Sequence, residues 1–159
     1  MGMAAVIRPM VAPDAAAVSA LLPDLGYAAT PAQVQQRLAH LLAWPDQAVA
    51  LAWAGPTLVG LVHVQGVRLL ASDGYAEVQA LVVARAAQGQ GIGAQLLRHA
   101  EAWARAAGYV RVRLRSGVQR EAAHAFYRAQ GYAQAKASLA FERPLPEGPG
   151  DRSAAPPPP

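Results

Sequence analysis

A chain of 159 residues with 53% apolar and 15% charged side chains is long enough for one domain with a sizeable core and too apolar to stay unfolded. It has no cysteine, which excludes disulfides, thiolate nucleophiles and cysteine metal sites. The net charge of +4 comes from thirteen arginines against a single lysine, Lys136, and suits an anionic ligand.

Met1–Met10 has one arginine and no long apolar run, so no signal peptide is expected, and no stretch is apolar enough for a membrane span. A cytoplasmic protein without a membrane partner is the expectation. Ala4–Arg8 predicts a first strand. Pro13-Asp14 opens an alanine-rich helix with Val18, Leu21 and Leu22 at helical spacing, closed by Pro23. Thr30-Pro31 pairs a hydroxyl cap with proline at the first helical position. Val34, Leu38, Leu41 and Leu42 then form one face of a helix that ends before Trp44-Pro45. Gln47–Ala54 and Thr57–Leu70 read as strands of a hairpin turning at Gly55-Pro56, and Ser72-Asp73-Gly74 turns into a strand over Tyr75–Val83. After a glycine-rich loop, a helix is predicted from Ile92 to Ala107, with Gly108 as its stop. Tyr109–Arg115 alternates, with Val110, Val112 and Leu114 on one face and Arg111, Arg113 and Arg115 on the other. The other arginines are scattered, so no nucleic acid is expected. Glu121–Gln130 predicts a helix stopped by Gly131, and Ala137–Phe141 a last strand. Proline then dominates, so residues 144–159 read as a disordered tail behind a domain of residues 3–143. The order β-α-α-β-β-β-α-β-α-β gives class α+β: a mixed, mostly antiparallel central sheet flanked by helices, with one β-α-β crossover.

Gln88-Gly89-Gln90-Gly91-Ile92-Gly93-Ala94 lies between a strand and a helix. Glycines let backbone approach a phosphate, and the helix start adds unpaired N–H groups and a positive dipole end. Together they make a diphosphate site. Gly89, Gly91 and Ala94 also fit the dinucleotide pattern, which leaves an NADP-binding domain as an alternative, but three strands joined without a helix precede the loop and do not suit a doubly wound sheet.

The loop resembles that of the Gcn5-related N-acetyltransferase (GNAT) family, whose [QR]-x-x-G-x-[GA] pattern is met by Gln88, Gly91 and Gly93. Leu81-Val82-Val83 stands at the family's usual distance ahead of it. About 35 residues downstream, Ala122 to Tyr132 resembles the family's A-x-x-x-[FL]-Y-x-x-x-G-[FY] segment. The resemblance implies acetyl-CoA as co-substrate and a primary amine, on a small molecule or peptide, as acceptor. It implies that Gln88, Gly89, Gln90, Gly91, Ile92, Gly93 and Ala94 wrap the diphosphate. Leu81, Val82 and Val83 would face the pantetheine arm where their strand splays from the next, and Tyr127 would give a proton to the departing thiolate. Many members carry Asn seven residues before this Tyr; here Arg120 stands there and could pair with an anionic group of the cofactor. A homodimer follows by family analogy only.

An amine attacks a thioester only when neutral, so the site needs a proton acceptor. Glu77, on the strand leading to the loop, is the candidate base; its alternative is a strand-end carboxylate paired with a surface arginine. Tyr127 could instead be a core aromatic beside Phe126. His63 reads first as a structural histidine that could face the acceptor, His124 as a reserve base one helical turn from Tyr127, and His40 and His99 as surface residues. No His/Asp/Glu spacing suits a metal, and none is expected. Tyr27-Ala28-Ala29, Trp44 and Trp53 could border the acceptor. An acyl-CoA sensor without chemistry remains the principal alternative to an enzyme.

Overall fold

The computed structural model describes residues 2–146. The chain divides into two compact units, Met1–Gly117 and Val118–Pro159. In the first, strands β1 (Val6–Pro9), β2 (Gln47–Ala54), β3 (Thr57–Val67), β4 (Tyr75–Val83) and β5 (Val112–Leu114) join helices α1 (Ala15–Leu21), α2 (Pro31–Leu42) and α3 (Ile92–Ala106). The second holds α4 (Glu121–Ala129). The five strands form one sheet in the order β1-β2-β3-β4-β5. β1 to β4 run antiparallel and β5 joins β4 in parallel, the mixed α+β sheet expected.

Leu51, Leu61 and Val82 are matched in register on one face and pack into a core with Val18 and Leu21 of α1 and Val34 and Leu38 of α2. Burying each such side chain contributes about 1.5–3 kcal/mol. On the opposite face α3 lies close to the sheet through Ile92 and Leu96, both almost fully buried. Gly60 permits that approach, since a Cβ there would stand 2.8 Å from Leu96 Cδ1 and 3.2 Å from Ile92 Cγ2. The α2 start is a reciprocal cap: Gln33 N donates to Thr30 Oγ1 at 3.2 Å and Thr30 N to Gln33 Oε1 at 2.9 Å. Asp14, almost fully buried, accepts two bonds from the Arg8 guanidinium at 2.7 and 2.8 Å and one from Val11 N at 2.9 Å. Arg8 first, with help from the Val11 amide, holds the Asp14 carboxyl below its usual range.

Several boundaries differ from the sequence reading. The first α-helix ends at Leu21, just ahead of Pro23 as expected, but the chain continues through a 3-10 turn, Leu22–Leu25, which Gly26 ends at φ 96°. β3 stops at Val67 rather than Leu70. β5 shrinks to three residues because the α3 stop consumes the approach: Gly108 N bonds Arg105 O and Tyr109 N bonds Ala104 O, a Schellman cap. Val110 is exposed and Tyr109 buried, against the alternation expected. Ala137–Phe141 forms no strand among the described residues, and Phe141 is 91% exposed. A strand holds only through ladder pairing, and residues 137–141 make none. The tail expected over 144–159 lies outside the described residues from 147 onward.

Candidate active site

The glycine-rich loop enters α3 through two left-handed residues, Gly89 (φ 75°) and Gly91 (φ 86°), the second being the helix N-cap. A Cβ at either would meet nothing within 4 Å, so the glycines answer the backbone geometry and leave the loop's outer side bare. Ile92 anchors the helix in the core, which leaves its N–H, with those of Gly93 and Ala94, in the first turn where helices have no internal acceptor. Gln88 Nε2 donates to Val83 O at 3.2 Å, tying loop to strand, and Gln90 O accepts from Met3 N at 3.2 Å. Asp24 fixes the loop's approach by accepting from Arg85 N at 3.1 Å. Bare backbone donors at a positive helix end suit a diphosphate.

β4 is the second component. It meets β5 only at Ala76, Glu77 and Val78. From Gln79 to Val83 the β5 side of β4 has no ladder partner among the described residues, so the two strands part as expected. Against β3 the register slips, with His63 opposite Ala80 and Val64 opposite Val78, which makes Gln79 a bulge residue. Leu81 and Val83 are half-buried along the parted segment. Val82 turns its side chain into the α1–α2 core, so only its backbone is left to meet a ligand.

Glu77 stands at the fork, its side chain 12% exposed. Oε1 pairs with Arg115 Nε at 3.1 Å and Oε2 accepts from Gln79 Nε2 at 3.2 Å. The arginine pairing that competed with a catalytic role is therefore present, with a partner that is itself 78% exposed. Arg113 is opposite Glu77 in register, its guanidinium 4.6 Å from the Tyr75 ring centre, and Arg111 Nε donates to Gly74 O at 3.2 Å. Ser116 Oγ, next along, is buried without a hydrogen-bond partner. Gln79 was missed by the sequence reading, because Val78, Ala80 and Val82 share one parity in an unbroken strand, whereas the bulge buries Val78 on one face and turns Ala80 and Val82 to the other.

His63 lies between Val49 and Ala80 on the α1–α2 face, its Nε2 buried without a partner. Burial pushes the imidazole below its ordinary range, so the ring is neutral at pH 7. The unfolded chain then binds a proton more readily than the folded one. This group's contribution to stability is present above about pH 6.5 and is lost as pH falls through its lowered folded value. The wild-type Tm should drop from pH 7 to pH 5 more steeply than that of His63→Gln; parallel profiles would disprove this origin. Trp53, half-buried against the same core, has Arg8 stacked 5.0 Å from its ring centre, whereas Trp44 is exposed.

In the second unit α4 carries Tyr127 and ends in another Schellman cap, with Gly131 N on Arg128 O and Tyr132 N on Tyr127 O. Tyr127 packs against Phe126 and Tyr132 at ring distances of 5.4 and 6.2 Å. Burial raises its phenol's pKa, opposed by the positive charge of Arg120 at the helix entrance, so the hydroxyl keeps its proton at neutral pH. Both the aromatic packing and the retained proton are therefore present in one residue. No group of three or more His, Asp or Glu side chains converges among the described residues. No helix there is long and apolar enough to cross a membrane.

A mixed sheet whose parallel pair parts beside a glycine-lined helix entrance defines the α+β fold of the GNAT acetyltransferases, and the sheet is not doubly wound. Residues 16–132 match the model of the Acetyltransferase (GNAT) family, and the chain belongs to that family. Over 92 residues it is 38% identical to the aminoalkylphosphonate N-acetyltransferase of Salmonella typhimurium strain LT2, an alignment covering 57% of this chain and 59% of that protein. The matched part is thus under two thirds of that relative's length. A candidate acetyltransferase from Agrobacterium tumefaciens strain C58 shares the fold at a TM-score of 0.78 and 26% identity, over 87% of this chain and 99% of that one. The aminoglycoside N-acetyltransferase AAC(6')-Iy in complex with CoA gives 0.79 at 14% identity, over 91% and 98%.

Proposed function

We propose that this protein moves the acetyl group of acetyl-CoA to the primary amine of a small molecule, directly, in a ternary complex. The observation that carries the reading is the pairing of a bare, glycine-lined helix entrance with a strand whose backbone is released from its neighbour. A diphosphate and a pantetheine arm need those two features, and acetyl-CoA supplies the activated thioester. Gln88 to Ala94 hold the diphosphate through backbone N–H groups, Leu81 to Val83 face the pantetheine arm, and Arg120 adds positive charge for an anionic group of the cofactor. The related Salmonella enzyme is named for a small amine, which favours a small molecule over a peptide.

Glu77 takes a proton from the acceptor's ammonium group. The freed amine nitrogen bonds the acyl carbon, and the carbon–sulfur bond breaks as the Tyr127 hydroxyl gives its proton to the leaving thiolate. The second proton on nitrogen returns to the Tyr127 oxygen, and the proton on Glu77 passes to solvent. Holding both reactants in one place supplies much of the rate, with no covalent enzyme intermediate. Glu77→Gln is expected to lower kcat by about 10²–10⁴-fold, with the loss shrinking as pH rises and the amine deprotonates unaided. Tyr127→Phe should lower kcat while leaving CoA affinity near wild type. Free thiol released with a panel of amines is the readout. CoA binding without turnover on any amine would favour a sensor, a reading that Arg120 at the usual Asn position and the Arg115 pairing of Glu77 keep in play.

A further inference from the structure

We infer that the acceptor is a short zwitterion, an amine whose anionic group lies within a few ångströms of the nitrogen, and that Arg115 and Arg113 select it. The inference deepens the proposed transfer reaction and rests on it.

Glu77 is opposite Arg113 in register and paired with Arg115, while Arg111 donates to Gly74 O at the start of the same strand pair. An ammonium group approaching Glu77 must displace Arg115, whose guanidinium already sits 3.1 Å away. That pair is held weakly, because an arginine 78% exposed gives up little on opening. A plain amine, protonated, would leave Arg115 unpaired and stand beside the like charges of Arg113 and Arg115. A cationic diamine would fare worse. A zwitterion exchanges one ion pair for two: its ammonium replaces Arg115 on Glu77, and its anion takes the displaced guanidinium.

The geometry fixes the spacer. Glu77 and Arg115 are in contact, so the two charges of the ligand must be separated by about one side-chain contact. Two or three carbon atoms meet that condition, whereas a long chain would carry its anion past the arginines. Arg113 is opposite Glu77, with its guanidinium oriented on the Tyr75 ring, and presents a planar fork that suits a carboxylate or phosphonate.

The test uses the full chain with acetyl-CoA and a matched panel at one pH: 2-aminoethylphosphonate, 3-aminopropanoate, propylamine and 1,3-diaminopropane. Thiol release should give the two zwitterions a kcat/KM about 10–100-fold above propylamine, the diamine lowest, with the gap narrowing as salt rises. Arg115→Gln and Arg113→Gln should each compress the zwitterion-to-propylamine ratio, mainly through KM. Equal rates across the panel would overturn the inference while leaving acetyl transfer intact. So would a zwitterion preference that both variants keep. Because the wild-type panel and its salt dependence need no variant, a poorly folding Arg113→Gln does not blunt the test. Silence with every amine would overturn the transfer reading and this one together.

Discussion

Gly66→Ala is expected to destabilise the protein by about 3–5 kcal/mol, lowering Tm by about 6–20 °C. Gly66 N donates to Asp46 O at 2.9 Å, and the space beside its Cα is filled by the Asp46 carboxylate, which accepts from the Tyr109 hydroxyl. Burial, with the Asp46 bond, pushes the Tyr109 phenol's pKa up, so the donor keeps its proton. Arg68 closes the cluster, with Nε 3.2 Å from Asp46 Oδ2 and its guanidinium 5.4 Å from the Tyr109 ring centre. A Cβ on Gly66 would overlap both the Asp46 oxygen and the tyrosine hydroxyl and stand 2.6 Å from Tyr109 Cζ. The ring cannot step aside, because its own backbone is the cap of α3. Thermal unfolding decides the matter. In a Tyr109→Ala background the added cost of Gly66→Ala should fall to under half; strict additivity of the two changes would reject the steric account.

The second large effect concerns the cofactor rather than the fold. Gly91→Ala should weaken CoA binding by about 10–100-fold, the range of one or two lost charge-assisted hydrogen bonds. A side chain at φ 86° strains the backbone by about 1–2 kcal/mol and tilts the helix entrance whose N–H groups would meet the diphosphate. Gly108 supplies the control, since it too is left-handed, at φ 91°, with open space at its Cβ position, but it lies at the other end of α3. Gly108→Ala should cost similar stability and leave CoA affinity unchanged. Calorimetric titration showing the two variants equal would mean that the loop is not where the diphosphate sits.

Most of the sheet was legible because its strands announce themselves locally. Gln47–Ala54 and Tyr75–Val83 match their observed limits, and the Thr30-Pro31 start of α2 is the reciprocal cap that its residues specify. The failures lie where the outcome depends on a partner distant in sequence. Ala137–Phe141 reads as a strand but makes no ladder among the described residues, and Tyr109 is held by the helix stop and by Asp46, 63 positions away. The glycine loop was readable because left-handed backbone leaves a compositional mark. The roles around Glu77 were not, because whether a strand carboxylate faces an acceptor or an arginine is decided by register, and a one-residue bulge at Gln79 resets it.

The strands are arranged in space in the order in which they occur in the chain. A ribosome releasing this polypeptide therefore never asks a new strand to wedge between two that have already paired; each one extends an existing border. β2 and β3 close through the turn at Gly55-Pro56 and β3 and β4 through residues 68–74, which keeps their contacts local, whereas β1 meets β2 across α1 and α2 and β5 meets β4 across α3, the two pairings that wait on distant chain.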